Sequence, residues 1–397
     1  MILSFLRGTF ERVASEAVQR LPASLSSRLG GAGPEPDLPT DEAMRASLQW
    51  MEGTLATETG YRFAAGAPES LLATCFGVLA HEHLAGLAQL PEARRRVLAA
   101  RIQGCQSAET GLFRDPQHGD DVICRLHKFT PLYIEWQETY FAVQALDALG
   151  ARPGHALSFV RAFQSGPGLD TWLRTLPFDD FWFSSNYLMF LLCFLLVEEG
   201  DGSPTAHRIL DALDARQDPA TGFWGTQQGA SLFNGMAGAY HLYGFYEHLG
   251  RPIHHQAEAV RSTLRTQERS GLFGALGGGP CEDVDAVDIL ARLQPGSSDD
   301  DAAVRAGLDQ ALAALLRCRG ADGSWRWSAA LPGVKASKVR YSGLSTLVAD
   351  SDAGDIWSVW FRPLAIAVAC DRLGKRIQWR PTYRRLPMLG WYRPRLR

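Results

Sequence analysis

No Gly-x-Ser-x-Gly elbow and no His-Glu-x-x-His pair occurs in the 397 residues, so serine-hydrolase and zinc-protease chemistry lack the groups that would carry them. The glycine run Gly277, Gly278, Gly279 lacks the Lys-Ser/Thr of a phosphate-binding loop, and the acidic side chains that follow it repel phosphate. No Cys-x-x-Cys pair is present. Cys75, Cys105, Cys124, Cys193, Cys281, Cys318 and Cys370 are scattered and odd in number, the pattern of free thiols in a reducing, cytoplasmic setting. Net charge is only −3, which offers no broad cationic face and argues against nucleic acid as a partner. Long apolar runs are also missing. The longest, Tyr187 to Val197, is too short to cross a bilayer and is expected to be a buried helix. At the start, Leu3, Leu6, Phe10, Val13, Ala17 and Leu21 share one helical face, with Arg7, Glu11, Arg12, Glu16 and Arg20 between them. That pattern predicts an amphipathic helix, because a signal peptide needs an unbroken apolar centre.

What the sequence does contain is a repeat. A turn with glycine before an aromatic or aliphatic residue recurs at Gly60, Gly111, Gly168, Gly222, Gly271 and Gly323, spaced by 51, 57, 54, 49 and 52 residues. Its fullest copy is Gln217-Asp-Pro-Ala-Thr-Gly-Phe-Trp224, and Gln106, Gln164 and Gln267 open other copies. Each interval holds two helices of ordinary length, with apolar residues three and four apart and little alternation. Second stop signals stand at Leu149-Gly150, Glu199-Gly200, Leu249-Gly250 and Leu373-Gly374. The period predicts six helical hairpins, and the apolar character of the second helices predicts that they close into an inner ring. The expected organisation is an N-terminal amphipathic helix and linker over residues 1–40, an all-α (α/α)6 toroid over 41–374, and a basic, aromatic tail over 375–397. That tail carries eight Lys or Arg and no acid, which leaves the remainder near −11.

The Gln-x-x-x-Gly-x-Trp type of turn resembles the repeat of the terpene cyclase and protein prenyltransferase superfamily, whose fold is an alpha/alpha toroid. The resemblance covers most of residues 45 to 374 and speaks to architecture before activity.

In such a toroid the first turns of the inner helices surround one mouth of the cavity, which makes their polar residues the candidates. Glu135 and Glu138 share a face near the start of the second inner helix. Asn186 and Tyr187 follow Ser184 and Ser185 in the third, Asn234 precedes Tyr240 and His241 in the fourth, and Asp355, Trp357, Trp360 and Arg362 open the sixth. The fifth carries Glu282, Asp283, Asp285 and Asp288. Four carboxylates within seven residues exceed what capping a helix requires, and their mutual repulsion raises at least one pKa, supplying a neutral acid able to donate a proton. Asp283-Val284-Asp285-Ala286 is similar to the Asp-x-Asp-Asp motif of class II terpene cyclases, with Ala286 in place of the last Asp. The resemblance implies that Asp285 is the proton donor, with Asp283 and Glu282 tuning it, and that Trp136, Tyr140, Tyr187, Tyr240, Trp357 and Trp360 are aromatics able to stabilise carbocations.

Three functions therefore stand open: protonation-initiated cyclisation of an isoprenoid, a carbohydrate-active toroid pairing carboxylates such as Glu135, Glu138, Asp283 or Asp285 across a sugar, and a toroid that only binds a ligand. Each implies a small-molecule or lipid-like ligand, and none implies a cofactor. A zinc site is not expected. The Asp-x-Cys order of protein prenyltransferases is reversed in Cys281-Glu-Asp283, and no His follows at the start of the sixth inner helix. His81, His83 and His241 are expected to be polar helix residues, and the loop bearing His118, Arg125, His127 and Lys128 is a candidate cap for the mouth. The basic tail suits either peripheral contact with anionic lipid or packing on the outer helices.

Overall fold

The computed structural model describes residues 37–84, 86–119, 129–164, 166–273, 279–328, 336–379, 381–383 and 387–394. The amphipathic segment expected over residues 1–40 falls almost wholly outside them, as do Arg125, His127 and Lys128. Outer and inner helices alternate along the chain. They are α1 (Asp41–Thr54) and α2 (Leu71–Leu84), α3 (Glu92–Gln103) and α4 (Pro131–Ala148), α5 (Arg161–Gln164) with α6 (Gly166–Thr175) and α7 (Phe181–Glu199), α8 (Pro204–Asp214) and α9 (Leu232–His248), α10 (Gln256–Leu264) and α11 (Pro280–Arg292), and α12 (Ser298–Leu316) and α13 (Ile356–Leu373). The inner members pack in a circuit: α2 on α4, α4 on α7, α7 on α9, α9 on α11, α11 on α13, and α13 back on α2. The chain is thus a closed helical toroid.

Burial explains which helices lie inside. Every residue of α13 from Ile356 to Arg372 is buried, and so is every residue of α2 except Glu82. The outer α3, by contrast, buries only Leu98 and Ile102. A helix apolar all round needs neighbours on every side, whereas one with a narrow apolar stripe needs them on one. The segment Phe178–Glu199 is long and apolar enough to cross a membrane by length and composition, longer than the Tyr187 to Val197 run suggested, and 67% of its most apolar window is packed inside the ring.

The recurring glutamine has a structural purpose. Gln106, Gln217 and Gln267 each donate through the side-chain amide to the carbonyl of their own turn glycine, at 2.9, 2.8 and 2.8 Å. The same amides reach the next unit, donating to the carbonyls of His155, His254 and Gly307 at 2.8, 3.0 and 2.8 Å. One side chain therefore satisfies two carbonyls and fastens consecutive hairpins. Gly222 shows why glycine is required beside it: its φ is +74°, and a Cβ there would stand 2.5 Å from the His255 carbonyl. The last turn closes the circle in the same manner. Arg319, standing where the Gly111, Gly222 and Gly271 turns have Gln, donates to the Ala43 carbonyl in α1 at 3.2 Å, and Trp325 donates through its indole N–H to Ser47 Oγ at 3.0 Å.

Two turn glycines differ from the sequence expectation. Gly168 lies inside α6 and not in a turn, because Pro167 sits in the first turn of a helix, where its fixed φ is favourable. The chain enters α7 instead through Pro177 and the 3-10 turn Phe178–Asp180. Gly60 keeps an ordinary φ, but a Cβ on it would stand 2.3 Å from Thr74 Oγ1, so close approach is what demands glycine there. Two antiparallel ribbons, β1 (Tyr61–Arg62) with β2 (Glu69–Ser70) and β3 (Lys338–Arg340) with β4 (Val348–Asp350), sit in the connections that lead into α2 and α13. The sequence reading contained neither.

Candidate active site

A cavity of about 240 Å³ opens where the first turns of the inner helices converge. Tyr133 and Phe141 of α4, Trp182 and Phe190 of α7, and Trp357 of α13 supply aromatic walls. Arg340 at the end of β3, with Tyr341 and Ser342 after it, lies across one side, and Leu389 from the C-terminal segment forms part of the lining. Among the described residues, the carboxylates on this lining are Glu282 and Asp285, both on α11.

Asp285 is 1% exposed, and neither of its carboxyl oxygens has a hydrogen-bond partner. Burial, and then the charges of Glu282, Asp288 and Asp283, push its pKa well above the usual 3.8. A buried carboxyl without donors is more stable neutral than ionised. The result is a carboxylic acid with an available proton at the wall of an aromatic chamber.

The other acids of α11 are engaged elsewhere. Asp283 accepts the Phe273 N–H at 2.6 Å and pairs with Arg362 of α13, whose guanidinium also donates to the carbonyls of Arg326 and Trp327. Burial raises its pKa to about 6, and Arg362 and the Phe273 amide restrain that rise. Thr74 and Thr139 accept the corresponding N–H of Tyr61 and Phe113 at 3.1 and 2.9 Å, so Asp283 occupies a turn-fastening position that recurs around the ring. It lies in the wall, off the cavity lining. Asp288, a turn further along, pairs with Arg292 at 2.7 Å. Glu282 lines the cavity and accepts from Cys281 Sγ at 3.1 Å.

The remaining candidates divide in the same way. Asn186 and Trp357 line the cavity. Glu138 does not: it meets His118 Nδ1 at 2.5 Å in full burial and accepts the Asp115 N–H at 2.9 Å, while His118 Nε2 contacts Thr346 Oγ1 at 2.7 Å. Glu135 pairs with Arg114 at 3.2 Å. Asp355 caps α13, accepting from Ser358 N and Oγ at 2.8 and 2.6 Å. Asn234 bridges α9 to the start of α7 through Trp182 N and Asp180 Oδ1, at 3.0 and 2.9 Å. Tyr187 stacks edge-on with Tyr133 and Trp136, and Trp360 packs edge-on to Trp357, both behind the lining. Tyr140 and Tyr240 point their phenols at the C-terminal segment. Among the described residues, then, no two carboxylates face each other across the cavity, which is the arrangement glycoside hydrolysis requires. Among the described residues no three His, Cys, Asp or Glu gather as a metal site.

No family model and no curated protein matches the chain. Among solved structures it is similar to the type II terpene cyclase MstE from Scytonema, at 14% identity and a TM-score of 0.47 over 82% of this chain and 97% of that one. A variant of that enzyme in complex with its substrate, geranylgeranyl dihydroxybenzoate, aligns at 13% identity and 0.49 over 88% and 99%. The ent-copalyl diphosphate synthase from Streptomyces platensis aligns at 16% and 0.40, over 77% of this chain and 50% of that one. Likenesses this distant carry no statement about activity.

Several lining residues escaped the sequence reading. His241, expected to be an ordinary polar helix residue, contacts Ser185 Oγ through Nδ1 at 2.9 Å and lines the cavity; burial lowers its pKa to about 3, so the imidazole is neutral. A histidine two turns into an apolar helix gives a faint signal of this. Tyr341 and Trp327 lie in a connection whose path no periodicity predicts, and Leu389 lies in a segment expected to pack on the outer helices or meet lipid. Residues Leu389 to Trp391 of that segment make their hydrogen bonds to the inner α4, α9 and α11.

Proposed function

We propose that the chain cyclises an isoprenoid by protonating one of its alkenes, in the manner of class II terpene cyclases. The observation that carries this reading is Asp285: a neutral carboxyl with both oxygens unpartnered, at the wall of an aromatic cavity. Protonation of an alkene moves the Asp285 proton to carbon and leaves a carbocation, which an internal double bond then attacks to close a ring. The faces of Tyr133, Trp182, Trp357 and their neighbours stabilise that positive charge without offering it a strong nucleophile. His241, neutral and on the same lining, accepts the proton lost at the end, so the product is an isomer of the substrate. Asp283 acts through position only, holding α11 to α13. Ala286 is buried in the core where the motif of the resemblance has a third acid, and in this reading the single neutral acid suffices.

The test is a mass-spectrometric screen of the purified protein against prenyl diphosphates, squalene-like alkenes and acidic oligosaccharides. Conversion of an isoprenoid to a cyclic isomer supports the reading. Turnover that survives Asp285→Asn unchanged removes the proton donor, and conversion of an oligosaccharide alone replaces the reading with the carbohydrate one.

A further inference from the structure

The C-terminal segment enters the ring. Its turn is closed by the Trp391 N–H donating to the Met388 carbonyl at 2.8 Å, with Gly390 at φ +84°. The apex is held from two inner helices: the Leu389 N–H donates to Tyr140 Oη at 2.9 Å and the Gly390 N–H to Tyr240 Oη at 3.3 Å. Arg292, itself paired with Asp288, donates to the Trp391 carbonyl at 2.9 Å and lies 5.2 Å from the centroid of its ring. All of these polar contacts are to the segment's backbone, so the turn is anchored independently of the side chain at its apex.

That side chain has two faces. Leu389 lines the main cavity and also a second space of about 10 Å³ beyond it, bordered by Tyr240, Gly244 and Phe245. Met189 and His241 line both as well, and together the three form the partition between the chambers. Met189 and His241 are fixed on α7 and α9, whereas Leu389 is carried on a turn at the end of a separate segment.

We propose that the turn from Met388 to Trp391 is an internal plug, and that the Leu389 side chain determines how long an isoprenoid chain the cavity accepts. The inference rests on the isoprenoid reading of the cavity and adds to it the residue that sets chain length. Shortening Leu389 removes its isobutyl branch from the partition and opens the main cavity toward the second space, so part of an extra prenyl unit gains apolar burial that the wild type denies it. Each buried methylene contributes about 0.8 kcal/mol, so even partial burial of one unit amounts to about tenfold in affinity.

The experiment measures binding of geraniol, farnesol, geranylgeraniol and geranylfarnesol to the full chain carrying Asp285→Asn, by quenching of intrinsic tryptophan fluorescence, with Leu389 as leucine, alanine or phenylalanine. Leu389→Ala is expected to move the tightest binder at least one prenyl unit longer and to change the ratio of successive affinities by about tenfold. Leu389→Phe is expected to move it shorter, and it keeps the test open if the alanine variant does not fold. Binding with the same length preference in all three proteins overturns the plug and leaves the cyclase reading standing. Absence of binding by every alcohol to every variant overturns both.

Discussion

Arg362 of α13 and Asp283 of α11, 79 residues apart, form an ion pair that solvent does not reach, with side chains 0% and 1% exposed. Removing one partner leaves the other charged and buried, the circumstance in which a buried pair matters most for stability. Asp283→Ala or Arg362→Met is expected to lower the unfolding free energy by about 3–5 kcal/mol, and the double variant with Asp283→Leu is expected to recover part of it. Urea unfolding of the three variants checks this. A loss below about 1 kcal/mol in both single variants would show that the pair does not join these helices.

Asp285→Asn keeps the shape of the side chain and removes its acidity. Turnover is expected to fall about 10²–10⁴-fold or more, with little change in isoprenoid binding. The pH dependence follows from the raised pKa. The active form is protonated, so kcat/KM holds at low pH and falls as pH rises through the Asp285 value. The folded state retains a proton there that the unfolded chain releases above about 3.8, so this carboxyl lowers stability as pH rises from that point. Asp285→Asn is therefore expected to raise the melting temperature at neutral pH, by an amount that shrinks toward acid. Thermal scans across pH check the sign, and an asparagine variant less stable at every pH would contradict it.

Ring closure depends on Gly323. Its φ is +90°, and a Cβ there would stand 2.7 Å from the Ala46 carbonyl of α1. Gly323→Ala combines left-handed strain with a backbone clash and is expected to cost more than about 1 kcal/mol. Gly250, with φ +64° but open space around it, is expected to lose only the strain component. Hydrogen exchange separates them, since only the Gly323 variant should loosen α1 selectively.

His241 lines the cavity in its neutral form. His241→Phe keeps an aromatic wall and removes the proton acceptor, so substrate consumption is expected to persist within about tenfold while the product distribution shifts toward hydrated or alternatively deprotonated species. Product analysis by gas chromatography with mass detection reads this. An unchanged single product would assign the final deprotonation elsewhere.

The ring was legible because its signals are local. Glutamine and glycine at a fixed period, stop glycines such as Gly200 and Gly374, and helices as apolar as α7 and α13 state the turn chemistry and the buried face within a few residues of each other. The period misled only at Gly168, where Pro167 turned an apparent stop into a helix start. The acidic cluster of the candidate site on α11 was legible, but not the different surroundings of its members.

Those surroundings were decided by tertiary structure, since Glu282, Asp283, Asp285 and Asp288 share a helix and look alike in sequence. Arg362 and Arg292 claim two of them, Cys281 contacts a third, and Asp285 alone is left with both oxygens unpartnered at the cavity. The entry of Leu389 between Tyr140 and Tyr240 was likewise invisible, because its anchors lie 249 and 150 residues from the turn they hold. Sequence determined which helices form and which of their faces turn inward, through spacing and turn chemistry. Desolvation and charge pairing depend on neighbours brought together only when the ring closes, so the acid, its burial and the floor of its chamber belong to the fold.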